Sequence, residues 1–238
     1  MAEWAPKRFW TAAEAVAVEG GHAVHLDGRA VRTPARAAFV LPSRALAEAA
    51  AAEWAAQGDK VDPATMPVTR AANSAIDTIG ANRAAVQEMI AAYGGSDLLC
   101  YRAEAPAELV ARQAEGWDPL LAWLAATHGA PLAVTAGIVP VDQPADSLAR
   151  LDAALGAVSD FELAALHDLV ALSGSLVIGL AAAAGRHPPE HLWALSRLDE
   201  TFQAEQWGRD DEAEAVAEIR RAAFLDAARF LTLVRATK

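Results

Sequence analysis

The sequence is short of several things, and each shortage removes a class of function. It has one cysteine in 238 residues, Cys100, so no disulfide can close within the chain, which fits a reducing compartment. Lys and Arg total 20 against 31 Asp and Glu, a net charge of −11, and the basic residues form no run. A nucleic-acid footprint or an anionic-membrane surface needs clustered cations, so neither is expected as a partner. The opening MAEWAPKRFW puts acidic and aromatic residues where a secretory signal needs a basic start and an apolar stretch, and the chain reads as cytosolic. Three methionines are too few for the adaptable surface of a general holdase. One uncharged run, LVALSGSLVIGLAAAAG at 169–185, touches the lower limit of roughly 17–25 residues for a membrane span. It is rich in Ala and Gly, lacks interfacial anchors at its ends and follows His167 and Asp168, so it reads as a buried helix and no stable membrane insertion is expected. Its small residues would let neighbouring helices approach closely.

Catalytic signatures are also missing. Gly20 and Gly21 sit at a hairpin position, and Ser173, Gly174 and Ser175 lie inside an apolar helix, so neither group forms a phosphate loop after a strand. His22 and His25 point to opposite faces of a strand, and Pro188 and Pro189 between His187 and His191 argue against a shared helical face. No metal and no cofactor are expected. Cys100, in DLLCYR, has no adjacent base and reads as an inert core thiol. No serine sits on a nucleophile turn, and the acids at 199–200 and 210–212 are adjacent in sequence rather than facing. The expectation is a protein that is not an enzyme. The rival is a small-molecule enzyme or binding protein using a cleft between domains, with Asp97, Arg102 or His167 as polar groups.

What is present gives an α+β chain. Short β-type runs between 15 and 41 are broken by Gly20–Gly21, Asp27–Gly28 and Thr33–Pro34, the pattern of a small antiparallel meander. Ser43 is placed to cap a helix over 44–57, with Leu46 and Trp54 covering the sheet. GDKVDPATMP at 58–67 reads as a linker, dividing a β-rich domain at 1–66 from a larger helical domain at 67–238. Helices are expected over 68–79, 83–93, 107–115, 119–128, 145–155, 160–184, 189–207 and 212–234, with 131–144 as a connector or an added strand.

The stretch LWALSRLDETFQAEQWGRDDE at 192–212 joins the apolar and the charged patterns. Leu195, Leu198 and Phe202 form a core-facing stripe. Trp193, Ser196, Glu200, Gln203 and Trp207 recur at helical spacing on another face, so two indoles would bracket a carboxylate and a carboxamide. Such a face can bind a protein: aromatics supply affinity and charge fixes register. The alternative puts the tryptophans in core, with Glu200 paired to Arg197.

Taken in series, GGHAVHLDGRAVRTPA at 20–35, Glu53–Trp54, MPVTRAANSAID at 66–77, DLLCYRA at 97–103, Gln113 with EGWDPLLAW at 115–123 and LDETFQAEQWG at 198–208 resemble the ATP synthase assembly chaperones of the mitochondrial assembly factor 2 type, which bind the α subunit of the catalytic head. The resemblance runs from about Arg8 to the last helix. It implies a small β-rich domain followed by a helical one. It also implies a chaperone without ATPase activity that holds the unassembled α subunit until the β subunit displaces it. A monomer is expected for the free chain, which the sequence itself does not decide. Eukaryotic members act in mitochondria, and this chain looks like a bacterial, cytoplasmic one. The family's important acidic residues lie around its last LDE and WG motifs, so Glu200, Gln203, Glu205, Trp207 and Glu212 are the expected partner contacts.

Overall fold

The computed structural model describes residues 7–137 and 139–236, so the chain's first six residues, Ile138 within the 131–144 segment and the last two residues lie outside the described part. Contacts group these residues into two compact units. Among the described residues, one comprises 7–83, 160–165 and 229–236; the other comprises 84–137, 139–159 and 166–228.

In the first unit, β1 (Ala13–Val18) pairs antiparallel with β2 (Gly21–Leu26). Asp27 and Gly28, both at positive φ, turn the chain into β3 (Arg29–Ala30) along the other edge of β2. The last strand, β4 (Val40–Leu41), returns beside the start of β2, where Leu41 lies opposite His22. A Cβ at Gly21 would stand 2.3 Å from the Leu41 carbonyl oxygen, so only glycine lets this strand come so close. Ser43 caps α1 (Arg44–Ala55) by accepting from Leu46 N–H at 3.1 Å. Leu46, Ala47, Ala50 and Ala51 are buried, and Trp10 and Trp54 meet edge to face at 5.2 Å. A sheet this small cannot bury a face by itself, and α1 covers it as the alternation required.

The boundary expected at residue 66 falls inside this unit, because α1 reaches across the linker. Met66 offers no side-chain cap to α2 (Pro67–Asn73), and the carboxylate of Glu53 does so from a distance in sequence. It accepts from Val68 N–H (2.7 Å), Thr69 N–H (2.8 Å) and the Thr69 hydroxyl (2.7 Å). A π-helical turn, Ser74–Ile79, leads into α3 (Gly80–Ala92), and Asp77 there accepts from Ala35 N–H at 3.0 Å. Glu53→Ala leaves an uncapped helix start and is expected to lower stability by about 1–2 kcal/mol in urea unfolding, with Glu53→Gln intermediate.

Among its described residues the second unit is helical apart from a two-stranded parallel ladder, β5 (Tyr101–Arg102) with β6 (Thr135–Ala136), so the 131–144 segment supplies a strand. Its spine is α4 (Ala107–His128), whose buried face carries Leu109, Gln113, Trp117, Leu120, Leu121 and Leu124. The break expected at Gly116 does not occur, and α4 passes through Pro119 as well. Gly116 is there for packing, since a Cβ would come within 2.8 Å of Leu195 Cδ2. Then come α5 (Ala145–Gly156), α6 (Asp160–Ser173) and α7 (Leu176–Ala183). The single helix expected over 160–184 is broken at Gly174, which takes φ 74°, after which Ser175 caps α7 by accepting from Ile178 N–H. Residues Leu176 to Ala181 are all buried, and no helix among the described residues is long and apolar enough to cross a membrane. Small residues do permit the close approach: a Cβ on Gly179 would stand 2.4 Å from Val170 Cγ2.

Candidate functional site

The helix expected over 189–207 is two helices, α8 (Pro189–Ser196) and α9 (Leu198–Trp207), and this changes which residues share a face. Arg197 at the joint takes φ −112° and ψ 16°. Two hydrogen bonds account for the break. The Ser196 hydroxyl donates back to the Trp193 carbonyl at 2.7 Å, and the Leu195 carbonyl, which a continuous helix would turn toward Asp199, accepts from the Trp117 indole N–H at 2.9 Å.

The five-residue stripe therefore divides. Trp193 and Ser196 are buried, with the Trp193 ring 5.6 Å from that of Phe224. Glu200, Gln203 and Trp207 are exposed on α9, and Trp207 is 80% exposed. One tryptophan belongs to the core and one to solvent, so the bracket of two indoles does not form. Glu200 pairs with Arg197 at 2.7 Å. Glu205 pairs instead with Arg112 at 2.6 Å, and the Arg112 guanidinium lies 5.2 Å over the ring of Phe202, the buried anchor of α9. Gln113, fully enclosed, accepts from Ala103 N–H at 2.8 Å and donates to Asp199 at 2.7 Å. α9 is thus fixed to α4 by Phe202, Asp199 and Glu205, and its opposite side is left to solvent.

Gly208, at φ 94°, ends α9, and α10 (Asp211–Arg235) begins at once. Asp210 accepts from the N–H groups of Glu212 (2.9 Å) and Ala213 (3.1 Å), so this acid is a helix cap. Glu212 is exposed and lines a cleft of about 390 Å³ with Arg197, Asp210, Ala213, Val216, Ala217 and Arg220. Along α10 the first buried side chain is Phe224; residues 211–216 and 218–220 are all exposed. Residues 199–218 carry eight acidic side chains and one basic one, so most of the chain's excess negative charge lies on this corner. The structure brings Glu200 and Glu212 to the same corner, where Arg197 contacts Glu200 and lines the cleft beside Glu212. Sequence reasoning missed Arg112 and the link between Gln113 and Asp199, because the partners of the α4–α9 links lie 93 and 86 residues apart, and it passed over Val216 and Ile219.

The polar groups considered for small-molecule chemistry have structural partners. Asp97 is fully buried and accepts from Leu99 N–H, Val177 N–H and the Ser175 hydroxyl. Arg102 pairs with Asp118 at 2.7 Å and lies over Trp117. His167 contacts Asp168 at 2.9 Å, which raises the imidazole above its ordinary pKa. Burial, with the charge of Asp97 adding to it, pushes the Cys100 thiol up to about 12, so it stays protonated and unreactive at neutral pH. His187 and His191, expected not to share a face, have ring centroids 5.1 Å apart: Pro188 and Pro189 shape the start of α8 and do not separate them. Among the described residues no group of three or more His, Cys, Asp or Glu could hold a metal ion.

Comparison with known proteins gives one consistent relationship. A family model described as ATP12 chaperone protein matches residues 7–125. Atp12 from Paracoccus denitrificans, known as a crystal structure, is 51% identical and superposes with a TM-score of 0.93 over 96% of this chain and 98% of that one. A putative chaperone from Agrobacterium tumefaciens is 42% identical with a TM-score of 0.92, covering 97% of this chain and 87% of the other. The mitochondrial protein atp12 of Schizosaccharomyces pombe is 24% identical over 222 residues, which is 88% of this chain and 76% of that protein. By sequence and by fold, the chain belongs to the ATP12 chaperone family.

Proposed function

We propose that this chain is an assembly chaperone for the ATP synthase catalytic head, binding the unassembled α subunit, keeping it from aggregating and releasing it to the β subunit. It works without a cofactor and without catalysis, in the cytoplasm of a bacterium, and is monomeric when free. Family membership supports the chaperone part of this reading. The observation that supports the partner and its site is the α9–α10 corner: an almost fully exposed tryptophan among carboxylates, on helices anchored from behind.

The physical logic suits a client held and then passed on. An unassembled subunit exposes the apolar surface meant for its neighbour, and such a surface aggregates unless covered. Trp207 supplies a desolvating anchor, Glu200, Gln203 and Glu212 form the polar surround that steers encounter and sets register, and Glu205, paired with Arg112, holds α9 in place behind them. A contact area of one aromatic and a charged rim gives an affinity that the larger αβ interface can outcompete.

The residue assignment has a direct test by size exclusion and titration with purified α subunit. Trp207→Ala removes a side chain that supports no core, so melting should stay within about 0.5 kcal/mol of wild type, while α-subunit binding falls about 30-fold. Glu200→Lys with Glu212→Lys should slow association and reduce its dependence on salt. Unfolding of the Trp207 variant, or unchanged binding by both variants, would remove these residues from the site.

A further inference from the structure

We infer that the first half of α10, residues 211–222, is a second wall of the partner site. Its cleft receives an apolar side chain of the α subunit from a segment flanked by lysine or arginine. The inference rests on the α-subunit reading above and adds residues and a client chemistry to it.

The starting point is a helix half that buries almost nothing. Val216 and Ile219 are 53% and 71% exposed, and with Trp207 they account for three of the eight large apolar side chains exposed among the described residues. All three lie within thirteen positions of sequence. Ala213, Val216, Ala217 and Arg220 follow i, i+3, i+4, i+7 spacing, so one helical stripe forms the floor of the cleft. An isolated helix of this length is marginal in water, so a helix held open here needs support that does not come from a core. Asp210 caps it, Arg209 pairs with Glu214 at 3.3 Å, Arg221 with Glu218 at 2.9 Å, and Arg220 donates to the Leu172 carbonyl at 3.0 Å. These contacts hold the backbone in helical form and leave the apolar stripe uncovered. Binding then costs little ordering of this wall.

Charge selects the occupant. Asp211 and Glu212 stand on this half with no ion-pair partner among the described residues, beside Glu214 and Glu218. An anionic lipid surface would be repelled. A second copy offering the same face would oppose acid to acid, which a two-fold self-interface does not tolerate well. A client segment with an apolar anchor and flanking cations satisfies both the stripe and the field.

The test uses the full chain against overlapping peptides tiled across the α subunit, with the intact α subunit run in parallel. The captured peptides should share an aliphatic or aromatic residue flanked by at least two Lys or Arg, and their binding should weaken as salt rises. Val216→Asp with Ile219→Asp should reduce both peptide and α-subunit binding at least tenfold, and the milder Val216→Ser with Ile219→Ser should reduce both in the same direction without altering melting. If wild type holds the α subunit and both double variants hold it equally well, the second wall is wrong and the chaperone reading stands. If wild type does not hold the α subunit, both readings fall. Sedimentation at twice the chain mass that either double variant abolishes would assign the face to a second copy and overturn the inference.

Discussion

Trp117→Ala is expected to cost about 3–5 kcal/mol of unfolding free energy, a large share of the total for a domain of this size. The side chain is completely enclosed in the α4 face of the second unit. Its removal opens a cavity among close-packed helices, whose side chains sit in fixed rotamers and fill such a void only in part. Two polar consequences add to the cavity. The Leu195 carbonyl loses the indole donor, and the Arg102 guanidinium loses the ring it lies over at 5.2 Å. Trp117→Phe separates these effects, retaining most of the volume while losing the donor, and should cost about 1–2 kcal/mol. Because the Leu195 carbonyl sits at the α8–α9 joint, the Phe variant should also loosen α9, seen as faster amide exchange over 198–207. Urea unfolding of the two variants gives the first number, and hydrogen exchange gives the second.

The second large effect is a pH dependence carried by Asp97. Burial raises its carboxyl to about 6, against the pull of hydrogen bonds from Val177 N–H, Leu99 N–H and Ser175 that favour the charged form. In the unfolded chain this group titrates near 3.8. Between those values the folded protein keeps a proton that the unfolded chain has released, so stability falls as pH rises through this window. The contribution is complete below about pH 4 and is lost by about pH 7, a change of about 3 kcal/mol from this one group. Asp97→Asn cannot titrate. The stability of wild type relative to the Asn variant should therefore decline by about that amount between pH 4 and pH 7.5. A constant difference between the two proteins across this range would show that the carboxyl does not titrate as its burial implies.

Much of the fold could be read locally, and what could not was decided by distant partners. The meander, the Ser43 cap and the α1 cover follow from alternation and turn residues that act within a few positions. The breaks at Gly174 and Arg197 were not legible, for different reasons. Gly174 ends α6 by taking positive φ, which a glycine inside an alanine-rich run does not announce. The Arg197 joint depends on Trp117, 78 residues from the carbonyl it binds. The same division applies to the candidate site. Helical spacing put Trp193 on one stripe with Glu200, Gln203 and Trp207, whereas α8 turns the Trp193 ring into the core and the other three side chains are exposed on α9. The Glu53–Trp54 pair and MPVTRAANSAID, prominent as sequence, are architectural: Glu53 caps α2, Trp54 packs on Trp10, and Asp77 anchors the turn at Ala35. The exposure of Val216 and Ile219 was not legible, because helical spacing marks a face and does not say whether anything covers it.

Retention of the ATP synthase α subunit in solution, with its transfer to the β subunit, is the activity proposed for this chain. It is tested most directly by diluting denatured α subunit into nucleotide-free buffer with and without an equimolar amount of the protein, following light scattering and then size exclusion. Suppressed scattering, a co-eluting complex with the α subunit and dissolution of that complex on adding β subunit are the predicted results. Unchanged aggregation with no co-elution, or a complex that β subunit leaves intact, would contradict the account.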